Sequence, residues 1–179
     1  MSPQWLWWAP FVAALAHFAE EFVFLRVFSK RDRGHGPQFG NAVTPRSHLI
    51  ANAVFIALCA RAALVGAGSV SGLGGIPREY NVAFWLLLVA MMLSKALLHV
   101  GESVRTRRVS PGLWTAVSLY VPLAVYGFWR FAGSGMTPAS IGILAALAGV
   151  SCHLWPLLAR GRTVRQSGLP WSPSGGPAR

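Results

Sequence analysis

The 179-residue chain is 54% hydrophobic and only 12% charged, whereas a soluble domain carries about 25% charged residues. Composition therefore excludes an ordinary water-soluble domain and predicts a membrane protein. The formal net charge of +11 falls in the connections between apolar runs, where it sets topology and attracts anionic lipid headgroups, so a nucleic-acid partner is excluded as well.

Five apolar runs are long enough to span, since a helix needs about 20 residues to cross the hydrocarbon. The first, 4–28, follows Ser2-Pro3, a capping hydroxyl before a proline at the first helical position. It is followed by a Gly-rich connection containing "RDRGHGPQFGN". The second, 46–67, follows Thr44-Pro45. The third, 81–103, is expected to start at Asn81, and the fourth, 113–132, to be capped by Ser110-Pro111 and kinked at Pro122. The fifth, 138–160, follows Thr137-Pro138, and 161–179 reads as a disordered basic cytoplasmic tail. Cys59 and Cys152 both fall inside spans, as small buried residues without a disulfide framework.

The expected fold class is all-α: a polytopic helical bundle of five transmembrane helices over 1–160. Lys30, Arg31, Arg33 and Arg46 follow span 1, Arg105, Arg107 and Arg108 follow span 3, and Arg160, Arg162 and Arg165 follow span 5. This bias places the N-terminus outside and the C-terminus inside, in the plasma (inner) membrane. Trp5, Trp7, Trp8, Trp85 and Trp129 are expected at the outer interface, and Trp114 and Trp155 nearer the inner one.

Within that topology the ionisable side chains sort by depth. Of the His, Glu, Asp and Lys residues, span 1 holds His17, Glu20 and Glu21, span 2 His48, span 3 Lys95, His99 and Glu102, and span 5 His153, while span 4 has none and Arg61 and Arg130 sit near helix ends. His17 sits about 16 Å from the inner end of its span, at 1.5 Å per residue. The other His and Glu groups also fall in the cytoplasmic half, although successive spans reverse direction. His17, Glu20 and Glu21 stand at i, i+3 and i+4 and share one helix face, as do Lys95, His99 and Glu102 at i, i+4 and i+7, and His48 with Asn52 at i and i+4. Imidazoles with carboxylates suit zinc, iron or manganese, and helical bundles build such sites from inward-facing side chains. The expected metal ligands are His17, Glu20, His48, His99, Glu102 and His153, holding one or two transition-metal ions, zinc or iron. Glu21 and Lys95 are the expected catalytic residues, Glu21 as the general acid or base and Lys95 as the group that neutralises it. Three glutamates against one lysine leave two uncompensated negative charges below the headgroups, and a divalent cation would neutralise them.

The stretch "HFAEE" at His17 to Glu21 resembles the signature of the HXXEE family of small multi-pass membrane proteins, over roughly residues 5–160. The resemblance implies a helical membrane protein with a polar site at His17, Glu20 and Glu21, and no settled reaction. The function expected from the residues is a metal-dependent enzyme acting on a lipidic or other hydrophobic small molecule, by hydrolysis or oxygenation. The alternatives are a metal or ion transporter, and a metal-free isomerase or cyclase that uses a protonated glutamate.

Overall fold

The computed structural model describes the backbone at 4–28, 45–68, 78–132 and 138–166, and the side chains at 4–23, 48–68, 79–131 and 138–152. The described residues form α1 (Gln4–Phe28), α2 (Pro45–Gly66), α3 (Arg78–Thr106), α4 (Leu113–Thr115), a π-helical turn (Ala116–Tyr120), α5 (Val121–Ala132) and α6 (Ala139–Gln166). Thr115 and Val121, at the two ends of the π turn, keep right-handed helical dihedrals, so 113–132 is one continuous rod. The fold class is all-α, with no strand among the described residues.

Contacts between helices fix their directions. Trp85 of α3 meets Leu6 of α1, and His99 of α3 meets His17 of α1, so α1 and α3 run parallel. On α2, His48 reaches Glu21 and Gly66 lies against Trp7, which makes it antiparallel to α1. The 113–132 rod is also antiparallel, with Thr115 at His17 and Phe131 at Trp7. Gly142 and Gly149 of α6 lie against Leu86 and Ala90, parallel to α3. This alternation carries His17, Glu20, Glu21, His48, Lys95, His99 and Glu102 to one end of the bundle, while Arg61, over the Phe84 ring, and Glu79 lie toward the other.

The other end is closed by apolar packing around Leu6, Trp7, Trp85 and Phe131, all buried. Pro10 makes this closure possible. It lies inside α1 and has no N–H to donate to the Leu6 carbonyl one turn back. That carbonyl instead accepts the Trp85 Nε1–H at 3.1 Å, which satisfies a buried indole donor. Gly127 allows the Trp85 ring to approach the α5 backbone, because a Cβ there would lie 2.3 Å from the ring.

Several expectations are corrected. Helix α3 begins at Arg78, so Asn81 is inside it and Glu79 occupies its first turn, where a carboxylate favours the N-terminal dipole. The Ser110 hydroxyl does not cap the 113–132 rod but turns toward α3. The irregularity of that rod is the π turn Ala116–Tyr120, just ahead of Pro122. Trp7 and Trp85 are core residues rather than interfacial ones, and Cys152 is exposed while Cys59 is buried. Helix α6 continues to Gln166, past the expected start of the tail at 161. The rest of that tail, and the connection 29–44, lie outside the described residues.

Among the described residues, two helices are long and apolar enough to cross a membrane, over His48–Gly66 and Glu79–Thr106, and Ala139–Cys152 is a shorter apolar helix.

Candidate metal centre

Glu21 is the hub. On α1 it faces inward with His17, one turn before it, and only 6% of its side chain is exposed. Lys95 Nζ lies 3.0 Å from its Oε1, His17 Nε2 3.3 Å and His99 Nε2 3.5 Å, while His48 Nε2 lies 3.3 Å from Oε2. The His17 and His99 rings meet edge to face with centroids 5.2 Å apart, and Tyr120 of the π turn packs on His17 at 4.7 Å.

The hydrogen bonds around this hub decide which atoms are donors. The Thr115 hydroxyl lies 2.6 Å from Glu20 Oε2 and 2.8 Å from His17 Nδ1. It has a single proton, which goes to the carboxylate, so it accepts from His17 Nδ1–H. The Nε2 of a neutral His17 then carries a lone pair toward Glu21. The same arrangement recurs on α3. Ser110 Oγ donates to Glu102 Oε2 at 3.2 Å and accepts from His99 Nδ1–H at 3.0 Å, turning His99 Nε2 toward Glu21. Lys95 of α3 has only donors, so the atom of Asn52 on α2 that lies 3.3 Å away is its oxygen. The Asn52 amide therefore donates, to the His48 carbonyl at 3.1 Å and to His48 Nε2 at 3.0 Å.

The result is a buried set of acceptors that face one another. His17 Nε2, His99 Nε2 and Glu21 Oε2 have no hydrogen-bond partner among the described residues. Acceptors so placed could hold a cation between them, beside the Lys95 ammonium that already pairs with Glu21 Oε1. One ligand atom each from His17, Glu21 and His99 lies within 4.8 Å of the others, a separation that a single metal ion can bridge. The donor set fits: two imidazoles and one carboxylate hold catalytic zinc and mononuclear non-haem iron alike.

Of the expected ligands, the structure brings His17 and His99 together, and it adds Glu21, which was expected as the proton carrier. Glu20 does not join them, because Trp114 N–H, Thr115 N–H and the Thr115 hydroxyl occupy its carboxylate at 3.3, 2.8 and 2.6 Å. It caps the first turn of the 113–132 rod. Glu102 likewise binds Ser110. His48 borders the centre with its Nε2 engaged by Asn52, and Lys95 pairs with Glu21 as expected of a counter-ion. The backbone of His153 lies in α6, but its side chain is outside those described.

Three contributors were not expected at the site: Ser110, expected only as a helix cap, and Gly112 and Thr115. They belong to the start of a span that carries no His, Glu, Asp or Lys. Gly112 adopts φ +82, and a Cβ on it would fall 2.5 Å from His17 Cε1 and 3.0 Å from Glu21 Cγ, so the backbone itself forms the wall of the centre. Hydroxyl residues on both sides of a Pro-Gly turn were the available clue.

A family model described as "Protein of unknown function with HXXEE motif" matches residues 8–127. The chain belongs to the HXXEE family. No curated protein matches the chain, and no solved structure does. The HXXEE match includes every side chain of the centre just described and ends before α6. The expected extent of 5–160 is shortened accordingly, and His153 lies beyond it. The motif's histidine is His17, its first glutamate the helix-capping Glu20, and its second the hub Glu21.

Proposed function

We propose that this HXXEE protein is a five-span plasma-membrane metalloenzyme, N-terminus outside, that acts on a lipid-soluble substrate at a single metal ion near the cytoplasmic face. The observation that carries the reading is that three buried atoms, His17 Nε2, His99 Nε2 and Glu21 Oε2, converge without a hydrogen bond among the described residues, both imidazoles being turned inward by hydroxyl groups. His17, His99 and Glu21 would hold the ion. One ion, rather than two, agrees with the engagement of Glu20 and Glu102 elsewhere. A bound zinc or iron ion supplies a Lewis acid for activating water or a carbonyl, and iron adds oxygen chemistry.

The membrane reading is supported by large apolar side chains left exposed on every rod. They include Val12 on α1, Ile50 and Val54 on α2, Leu97 on α3, Val125 on α5, and Ile143 and Leu147 on α6. A monomeric soluble protein rarely presents so much apolar surface. A lipidic substrate is supported by the position of the open flank. His48 and Lys95, with side chains 38% and 21% exposed, are the least buried members of the centre and sit on α2 and α3 beside exposed Leu49, Ile50 and Leu97. On this reading His48, released from Asn52, would carry a proton between the centre and the outside, the role left open once Glu21 is a ligand.

The alternatives fare less well. A transport path would have to cross the buried Leu6, Trp7, Trp85 and Phe131 at the far end. A protonated-glutamate catalyst at Glu21 is opposed by Lys95, whose 3.0 Å contact uses that carboxylate as an acceptor. Elemental analysis of detergent-purified protein tests the proposal. About one equivalent of zinc or iron is expected, lost in His17→Ala and His99→Ala. Folded wild-type protein with no metal above background, and no thermal response to added zinc or iron(II), would overturn it.

A further inference from the structure

We infer that the hydroxyls of Ser110 and Thr115 are positioning groups that fix which nitrogen each histidine offers to the centre, and that Glu20 and Glu102 act through them. The inference deepens the reading of the centre as a metal site and rests on it for its consequence in affinity. The order of atoms is the same on two separate helices. A histidine donates through Nδ1 to a hydroxyl, and the hydroxyl donates to the glutamate three residues after that histidine. On α1 the chain is His17 to Thr115 to Glu20, with steps of 2.8 and 2.6 Å. On α3 it is His99 to Ser110 to Glu102, with steps of 3.0 and 3.2 Å.

Both hydroxyls come from the short segment 110–115, on opposite sides of Gly112, whose backbone touches His17 and Glu21. One turn therefore orients both imidazoles at once. A hydroxyl serves here because it accepts and donates together. A lone carboxylate would need the ring at direct bonding distance, and an apolar residue would leave Nδ1–H buried without a partner. Partners of this kind hold a ligand histidine in one tautomer, and losing one typically weakens metal binding 10–100-fold. The two adjacent glutamates of the HXXEE motif thereby divide the work: Glu20 orients through Thr115, and Glu21 contacts the metal.

Two measurements on the detergent-purified full chain test this. The first is zinc affinity by competition with a chromogenic chelator. Thr115→Val and Ser110→Ala are each expected to raise the zinc Kd about 10–100-fold, while Thr115→Ser stays near wild type. Ser118→Ala is the control, because that hydroxyl bonds the Trp114 carbonyl of its own helix at 2.7 Å. Unchanged affinity in both test variants would overturn the inference and leave the metal reading standing. The second is nitrogen-15 spectroscopy of histidine-labelled apoprotein, with His17 and His99 assigned by substitution. Both are expected as the Nδ1–H tautomer, and Thr115→Val moves His17 toward Nε2–H. Wild-type Nε2–H tautomers would overturn the relay. Because this readout needs no metal, wild-type protein that binds no zinc refutes the metal reading while the tautomer still decides the relay.

Discussion

Glu20 and Glu21 are neighbours in sequence but do different things, because adjacent residues on an α-helix point about 100° apart. Glu20 lies against the start of the 113–132 rod, where three donors meet it. Glu21 turns the other way, to three histidines and Lys95. In the absence of metal, Lys95 is the cation that keeps the Glu21 carboxylate paired. Lys95→Met is therefore expected to destabilise the apoprotein. Breaking a fully buried pair costs about 3–5 kcal/mol, and the 21% exposure of the Lys95 side chain lowers that figure. Metal bound at Glu21 would replace the lost charge, so saturating zinc is expected to raise the melting temperature more in Lys95→Met than in wild type. Equal shifts in the two proteins would show that Lys95 and the metal do not share Glu21. Spacing and depth were enough to pick out His17, Glu21, Lys95 and His99 from the sequence. They made Glu20 a ligand and Glu21 the proton carrier, whereas it is Glu20 that Thr115 holds away and Glu21 that faces His17 and His99, because i+3 and i+4 both lie on the histidine's face. The separation comes from Thr115, 95 residues further on, which no local pattern connects to Glu20.

Among the elements, the turn between α3 and the 113–132 rod does the most with the fewest residues. Arg107, at φ 54, ends α3 in the left-handed region, and Gly112, at φ 82, leads into Leu113. Gly112→Ala meets two penalties. The left-handed backbone costs a residue with a side chain about 1–3 kcal/mol, and the added Cβ would press on His17 at 2.5 Å. Lower thermal stability is expected together with weaker zinc binding. Gly101→Ala provides the contrast: it lies within α3 with nothing within 4 Å of its Cβ position. There alanine's better helix propensity predicts unchanged or slightly higher stability. Similar behaviour of the two variants would mean that Gly112 does not shape the centre. The rods themselves were legible, because runs of about 20 apolar residues leave little choice of structure. Their irregularities were not. The Pro10 gap matters only because Trp85 fills it, and the π turn at Ala116–Tyr120 carries Tyr120 onto His17. Each is a tertiary event with no periodic trace in sequence.

At the scale of the whole molecule, the two ends of the bundle differ in kind. One gathers His17, His48 and His99 with Glu20, Glu21, Lys95 and Glu102, and the other is an apolar plug of buried Leu6, Trp7, Trp85 and Phe131. Exposed Trp5 stacks on Tyr126 at 5.8 Å, and exposed Trp129 follows at 5.8 Å from Tyr126. An aromatic cluster of this type suits a headgroup layer. Beyond the polar end come Arg105, Arg107 and Arg108, all exposed, and a groove of about 300 Å³ lined by Ser103, Val104, Arg107, Arg108, Val109 and Leu113. Basic residues beside a span favour the cytoplasmic side, so the five-span proposal sets the metal centre there and the aromatic cluster outside. Cysteine labelling of intact cells decides this, in a background where Cys59 and Cys152 are replaced by alanine. Tyr80→Cys, at the plug end of α3 and 56% exposed in wild type, is expected to react with a membrane-impermeant maleimide. Arg107→Cys, at the polar end, is expected to react only after the membrane is permeabilised. The reverse pattern would keep the bundle but move the centre to the outer face. Reaction of both in intact cells would break the assignment of α3 as a span, and with it the reading that the substrate arrives from the bilayer.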